Sequence, residues 1–442
     1  MLDIKFIREN AAKAKELLAK RNVDLSVIDD VLKLDAVWRE QKTKAETKQA
    51  SLNAASKGVG EWFGRLKKVA NAAPGDEIVK ALGRTPENPD EAKELLRVLG
   101  DEVNVLARVA EDRLKDIETR LLVVPNFPSD ATPVGKDETG NVVRKTWGET
   151  PKFDFAPKPH WDIGAKFGME MEVGGRISGS GFPFFRGPLA RLERALINFY
   201  LDLHTRDHGY TECWVPYMVR GETLQNSGQL PKFIEEMYRL DDRDAGLFLI
   251  PTAEVPLTSY KAGEIVPHEQ LPLRLTAFTP CFRREAGAAG KDTRGFQRVH
   301  QFNKVELMVV TRPDKSAEEH ETLTRCAEHT LELLELPYRR LELCTGDMGF
   351  GATRCYDLEV FAPGMQKWLE VSSCSNFTDF QARRAKLRFR DENKKTELCH
   401  TLNGSGLACP RVMIGILENF QTKEGKVRLP KVLHHYYGSE WL

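Results

Sequence analysis

Residues 281–306 read CFRREAGAAGKDTRGFQRVHQFNKVE. LTAFTPCFRRE (275–285) leads into this stretch and HQFNKVELMVV (300–310) leads out of it, both rich in β-forming side chains. The pattern predicts two strands joined by a glycine-rich loop. Arg283, Arg284, Lys291, Arg294, Arg298 and Lys304 stand here against Glu285 and Asp292, ahead of Glu306. Gly287, Gly290 and Gly295 let the connection bend and come close to a ligand. Guanidinium forks match phosphate oxygens, so such a cluster suits a polyphosphate. A solvated charged hairpin has the same composition, and these residues alone leave both readings open. The loop is neither GxxxxGK[ST] nor a GxGxxG after a strand, which argues against a P-loop or Rossmann site.

Outward from this hairpin, the chain after Val124 alternates short β-rich runs with a few amphipathic helices, an α+β pattern. Pro125, Pro128, Pro133, Gly135 and Gly140 mark a linker. Leu189, Leu192, Leu196, Phe199 and Leu203 predict one helix, ended by Gly209. TECWVP (211–216) predicts a strand stopped by Pro216, and KWLEVSSC (367–374) predicts another. Ser316 and Glu319 have the spacing of a capping box for a helix through Leu334. Pro410 suits the first turn of a final helix, RVMIGILENF. His204 and His208 stand four apart without the Glu of HExxH, which argues against metalloprotease chemistry. His300 is read as packing or loop support.

Ahead of residue 123 the texture is helical. Val31, Leu34, Trp38, Ala45, Leu52 and Ala55 recur at 3/4 spacing, and Leu96, Leu99, Val103, Leu106, Ala110, Leu114, Ile117 and Leu121 repeat the pattern. Both predict helices wrapped in an antiparallel hairpin. A helix over 91–122 spans ~48 Å at 1.5 Å per residue. Residues 36–70 carry eight Lys or Arg against three Glu, net +5, while 71–122 sum to −4. Complementary pairing between the two helices explains this, and so does a basic stripe for a nucleic-acid backbone. Between the arms, Gly58 to Pro89 is rich in turn signals, and Trp62 and Phe63 beside Arg65 can stack or pack against nucleic acid.

Over all 442 residues, 65 Lys or Arg balance 65 Asp or Glu, and 41% of residues are hydrophobic. That excludes a disordered acidic or basic chain and predicts a sizeable core. Eight cysteines form no CxxC pair and no zinc spacing, so neither a disulfide scaffold nor zinc is expected. Cys326 and His329 share a helix face and are read as core. The first twenty residues are charged throughout, and no apolar run is long enough to span a membrane. A cytoplasmic location is expected, or an organellar matrix if a transit peptide was removed.

FRRE, the glycine-rich loop and the helix carrying Arg411 resemble motifs 2 and 3 of the class II aminoacyl-tRNA synthetases. PTAEVPLT (251–258), TPCFRREAG (279–287), RVHQFNKVE (298–306), LEVSSCSNFTDFQARR (369–384) and HTLNGSGLA (400–408) resemble the seryl-tRNA synthetases in particular, in that family's order. The resemblance covers almost the whole chain, including a helical hairpin that the family uses as a tRNA-binding arm. It implies a tRNA-binding domain over 1–122 and a catalytic domain over 123–442, built on an antiparallel sheet flanked by helices. It further implies a homodimer formed through the helix around Leu189–Leu203 and the strand ending at Pro216.

The site residues follow from the resemblance one by one. Arg283 matches the arginine that holds the ATP α-phosphate, with Arg284 beside it, and Glu285 matches the acid that reads the adenine amino group. Phe302 falls where an aromatic ring stacks on adenine. Glu370, Val371, Ser372 and Ser373 match the ATP segment, with Glu370 reaching Mg²⁺ through the nucleotide. Arg411 matches the arginine near the γ-phosphate. Thr252, Ala253 and Glu254, together with Glu306 and Ser405, match the serine pocket. Arg283 and Arg411 are the expected catalytic pair, because activation needs two anions aligned and charge stabilised on phosphate. On the arm, Arg39, Lys42, Lys44, Lys48, Lys57 and Arg65 are the expected tRNA contacts. Taken singly, Glu254, Glu306, Phe302, Ser372 and Ser373 are equally compatible with ordinary strand, core and surface roles.

The implied activity is serine–tRNA ligation: L-serine and ATP give seryl-adenylate, and the seryl group passes to tRNA(Ser), with tRNA(Sec) a further expected partner. Two departures from the family pattern stand out. Cys409-Pro410 precedes Arg411 where Val-Gly is expected, and the arm tip is larger than a usual turn. A class II relative that loads a carrier protein is one rival, yet such relatives lack the arm. A non-catalytic RNA-binding paralogue is another, yet Arg283, Glu306 and Arg411 are all present.

Overall fold

Two long helices, Ser26–Leu66 and Pro89–Leu121, make up most of the N-terminal region. The computed structural model describes residues 1–241, 246–288 and 294–442, so Gly290, Lys291 and Asp292 lie outside the described residues. Asp3–Lys15 and Asp24–Val124 form one unit; Met1–Leu2, Glu16–Val23 and Pro125–Leu442 form the other.

In the first unit, Val31, Ala45, Ala55 and Val59 are buried, as are Leu99, Val103, Ala110, Ile117 and Leu121 of the second helix. Lys48 meets Glu102 at 2.7 Å and Asp30 meets Arg120 at 3.5 Å, so stepping back along one helix steps forward along the other. The pair is therefore antiparallel. Asn88 caps the second helix, its side chain accepting from the N–H groups of Asp90 and Glu91 at 3.1 and 2.9 Å. Asp90 and Glu91 then face the positive end of the helix dipole.

The tip corrects two expectations. Gly58, Gly60 and Gly64 do not break the first helix, which runs through them to Leu66. Gly58 is needed for contact instead: a Cβ there would lie 2.7 Å from Ile78 Cγ1 of the short helix Asp76–Leu82. Trp62 is no stacking platform. It is buried with Val59, Ile78 and Ala92, and its indole N–H donates to the Ala72 carbonyl at 2.6 Å.

Four of the six expected tRNA-contacting cations are engaged within the arm. Arg39 pairs with Asp35 at 3.0 Å, Lys42 with Glu46 at 3.8 Å, Lys44 with Glu40 at 2.6 Å and Lys48 with Glu102 at 2.7 Å. Lys57 and Arg65 are exposed and have no carboxylate partner among the described residues. The three lysine pairs are exposed on both sides and contribute only about 0–1 kcal/mol each, so they yield readily to phosphate, whereas Arg39 pairs with a buried Asp35 that Arg8 also holds.

The second unit is built on one sheet of eight strands: β1 Val142–Trp147, β2 Thr211–Glu212, β3 Leu273–Phe282, β4 Gln301–Thr311, β5 Tyr338–Glu342, β6 Arg354–Ala362, β7 Lys367–Thr378 and β8 His400–Ala408. Their order is β1-β5-β6-β7-β8-β4-β3-β2. Every pairing is antiparallel except β2 with β3. TECWVP thus contributes two strand residues rather than six; Cys213 adds one backbone hydrogen bond to Thr276 and the chain leaves the edge.

Alternation along β4 sorts the two faces. Val305, Leu307 and Val309 join Leu189, Leu196, Leu323, Leu331, Val412 and Ile416 in one core, so the helices Pro188–Arg206, Ser316–Leu333 and Cys409–Asn419 contribute to it. Met308 and Val310 face the other way, into a second core with Leu257, Leu275 and Phe389. The predicted capping box does not form. Ser316 lies inside the helix and is buried against Asn376 Oδ1 at 3.1 Å, while Glu319 pairs with Arg274 at 2.7 Å. Pro410 does sit in the first turn of its helix, but a later helix, His434–Tyr437, closes the chain. No helix among the described residues is long and apolar enough to cross a membrane.

Candidate active site

On the face of β4 opposite Val305 and Leu307, Lys304 and Glu306 open into a cleft of about 610 Å³. Register brings the rest. Ser405 of β8 lies beside Glu306, and Cys281 of β3 beside Phe302, so Arg283 emerges just past the end of that pair. Thr252 and Glu254 reach the cleft from the turn before the short helix Glu254–Thr258.

The buried end is a closed hydrogen-bond network. The Glu306 carboxylate accepts from Thr252 Oγ1 and from Asn403 Nδ2, each at 3.1 Å, and is in direct contact with the Lys304 ammonium. Lys304 also donates to Thr252 Oγ1 at 2.9 Å. Glu254 accepts from Gln381 Nε2 at 2.6 Å, and Gln381 is fixed in turn by the Thr401 hydroxyl at 2.7 Å. Burial, then the charge of Glu306, pushes the Glu254 carboxyl up to about 7. Two carboxylates against one ammonium leave this end with anionic capacity, suited to a small cationic ligand that also carries a hydroxyl.

The other end is cationic. Arg283 donates to the Pro251 carbonyl at 3.3 Å and lies 5.1 Å from the Phe302 ring centroid. Arg298 lies 3.6 Å from Glu285, and Arg411 lies 3.3 Å from the Glu370 carboxylate while donating to its carbonyl at 2.8 Å. An adjoining space of about 230 Å³ takes in Phe302, Val371 and Arg411 and shares Arg283, Glu285 and Glu370 with the main cleft.

Eleven of the fourteen residues expected at the serine and ATP sites therefore line these two spaces. The other three do not. Ala253 is buried in the core beside Leu257. Ser372 is buried and donates its hydroxyl to the Ser405 carbonyl at 2.7 Å. Arg284 is exposed, and its backbone N–H binds the Glu236 carbonyl at 3.0 Å. Sequence reading missed Lys304 and Asn403 as members of the network. Alternation held the signal for both, because Lys304 stands two residues before Glu306 and Asn403 two before Ser405. Gln381 and Phe350 carried no comparable signal; tertiary packing alone brings them to the cleft.

An antiparallel sheet with arginines at one end of its cleft and buried acids at the other has counterparts among known proteins. Residues 238–420 match the model of the tRNA synthetase class II core domain (G, H, P, S and T), which defines the class. Residues 1–128 match the seryl-tRNA synthetase N-terminal domain. Serine–tRNA ligases from Pseudothermotoga lettingae and Thermotoga maritima are 46% and 48% identical to the chain, over all of it and at least 99% of their own length. The chain belongs to the serine–tRNA ligase family. The crystal structure of seryl-tRNA synthetase from Pyrococcus horikoshii complexed with ATP superposes with a TM-score of 0.87 at 37% identity, covering 100% of this chain and 99% of that one. The cytoplasmic enzyme of Naegleria fowleri in complex with AMP superposes at 0.84 with 29% identity, covering 100% of this chain and 98% of that one.

Proposed function

We propose that this chain activates L-serine with ATP and transfers the seryl group to the terminal adenosine of tRNA(Ser), and of tRNA(Sec) where that tRNA exists. The carrying observation is the polarity of the cleft, with acids and hydroxyls at its buried end and arginines at its open end. A serine carboxylate oxygen bonds to the α-phosphorus as the bond to the bridging oxygen breaks, and pyrophosphate leaves with that electron pair. The carboxylate is already ionised, so no protein base is required. Arg283 stabilises charge on the α-phosphate, and Arg411 orients the outer phosphates once the nucleotide displaces it from Glu370. Glu254 and Thr252 receive the serine ammonium, and Glu306 and Ser405 the hydroxyl. An analogue without that hydroxyl leaves buried polar groups unpaired, which is the basis of discrimination. In the second step a ribose hydroxyl of the tRNA end attacks the seryl carbonyl carbon and AMP departs.

Mg²⁺ fits as a companion of the nucleotide. Among the described residues no group of three or more His, Cys, Asp or Glu is arranged to hold a metal ion. Mg²⁺ is commonly held by one or two carboxylates plus substrate phosphates, and Glu370 beside Ser373 offers such oxygen donors. Bound there, it would neutralise phosphate charge. Burial, then the nearby charge of Glu370, holds the Asp357 carboxyl well above the usual range.

The arm over 1–122 is assigned to tRNA, with Lys57 and Arg65 as its uncommitted cations and Arg39, Lys42, Lys44 and Lys48 exchanging their carboxylate partners for phosphate. The working form is assigned as a cytoplasmic homodimer; Trp214, 86% exposed in the segment ending at Pro216, supports a partner surface there. Serine-dependent exchange of pyrophosphate into ATP, followed by charging of tRNA(Ser), tests the proposal. Exchange without charging would favour a carrier-protein substrate, and no exchange by a folded chain would favour a non-catalytic role.

A further inference from the structure

Three imidazoles form one hydrogen-bonded chain behind the strand that carries Ser405. β8 pairs Ser405 with Glu306 and Leu407 with Val305, so Gly406 is the extra residue of a β-bulge. On its other edge, the pairing of β8 with β7 reaches no further than Gly404. Carbonyls released from the ladder need other donors. The Ser405 carbonyl accepts from Ser372, and the Gly406 carbonyl accepts from His204 Nε2 at 3.1 Å. The fit leaves no room for a side chain at 406, since a Cβ there would lie 2.6 Å from that nitrogen. Leu407 follows at φ +150°, a conformation that persists only where its surroundings hold it.

The carbonyl dictates every tautomer. It can only accept, so His204 carries its proton on Nε2 and accepts on Nδ1. His208 Nδ1, 2.9 Å away, must then donate, which leaves His208 Nε2 to accept from His329 Nδ1 at 2.9 Å. Each ring donates inward toward Gly406. His204 belongs to the helix Pro188–Arg206, His208 follows two residues past its end, and His329 belongs to Ser316–Leu333, so the chain ties two helices to one bulge. Burial lowers His204 to about 3 and His208 to about 4, which keeps both neutral and the chain intact near neutral pH.

We propose that His204 is a positioning residue for the amino-acid pocket: by holding the Gly406 bulge through this imidazole chain, it keeps Ser405 turned into the cleft. Straightening a bulge slips the strand by one residue, and a slip by one reverses faces. Leu407 is fully buried in the helix-side core, so the residue that would turn away is Ser405. This inference rests on the reading of Ser405 as part of the serine site.

Serine-dependent pyrophosphate exchange by the full chain tests it. His204→Leu removes the donor and is expected to raise the KM for serine at least about tenfold while changing the KM for ATP less than about twofold. His204→Gln, whose amide can reach the same carbonyl, is expected to recover most of the loss. A merely structural role would lower thermal stability and active fraction while leaving the KM for serine unchanged, and that result would overturn the proposal. Ser405→Ala is measured in parallel. If it leaves the KM for serine unchanged, or if the wild type shows no serine-dependent exchange, the proposal falls through its premise. If His204→Leu does not fold, His208→Leu breaks the chain one ring further out; a smaller rise is expected, and no rise overturns the proposal.

Discussion

Lys304 and Glu306 stand two residues apart on β4, and their ammonium and carboxylate are in direct contact at the buried end of the cleft. Thr252 bonds to both of them, and Asn403 to the carboxylate. The charge pair is tolerated in the interior because each ion also has a hydrogen-bond partner, Thr252 for both and Asn403 for the carboxylate. Removing one partner breaks that condition. Lys304→Met is expected to cost ~3–5 kcal/mol of stability, because an unpaired carboxylate stays behind. Urea denaturation measures it; a loss below ~1 kcal/mol would mean that water reaches Glu306 and that the pair is not closed.

Glu254 makes stability and binding depend on pH. Its carboxyl is raised to about 7 in the folded chain, against about 4.3 when unfolded. Between these values the folded state holds the extra proton, so this contribution to stability is full below pH ~4.3 and is lost as pH rises through about 7, by roughly 4 kcal/mol in all. Glu254→Gln is expected to flatten that slope in denaturation curves taken from pH 5 to 8. If Glu254 receives the serine ammonium, the wild-type KM for serine falls from pH 6 to 8 and the variant loses that trend.

Arg283 leaves β3 above the Phe302 ring, donates to the Pro251 carbonyl and has no carboxylate partner among the described residues. Its charge is accordingly available to the α-phosphate. Arg283→Ala is expected to lower kcat for pyrophosphate exchange by about 10²–10³, the scale of one lost transition-state donor. Near-normal exchange would contradict its role.

Of the six expected tRNA-contacting cations, Lys57 and Arg65 are the two without carboxylate partners among the described residues. Replacing both by alanine is expected to reduce the salt dependence of tRNA binding by up to about two units of slope, while serine-dependent exchange stays unchanged. An unchanged slope would move the RNA contact elsewhere on the arm. Deleting residues 36–110 is expected to spare exchange and abolish charging; persistent charging would make the arm structural.

Trp62 is a core residue of the arm tip. Trp62→Ala is expected to destabilise the tip by ~3–5 kcal/mol through the cavity it leaves, with a further loss from the unsatisfied Ala72 carbonyl. Hydrogen exchange across 58–92 reads this directly. Protection that survives the substitution would return Trp62 to the surface role that its sequence neighbours suggested.

Much of this was legible before any coordinates. The 3/4 spacing marked both arm helices, and Asn88-Pro89 marked the start of the second, because capping and periodicity act within a few residues. The hairpin around 281–306 announced its strands for the same reason. The capping box at Ser316 misled: its residues had the right spacing, but Asn376 and Arg274 compete for those side chains from distant strands. Gly58 misled similarly, because contact with Ile78 outweighs its weak helix propensity.

By itself the sequence determined the division into a helical arm and a sheet domain, the arginine-rich hairpin, and the resemblance that named its expected residues. Those are local patterns, set by periodicity, turn chemistry and motif. Which carboxyl is raised toward neutral pH, which lysine closes the network, and whether Ser372 or Trp62 is free to touch a ligand were decided by tertiary structure alone. Burial and partner choice depend on groups 52 to 202 residues away, such as Lys304 with Thr252, Gln381 with Glu254 and His204 with Gly406. A local pattern carries no information about such partners until the sheet brings them together.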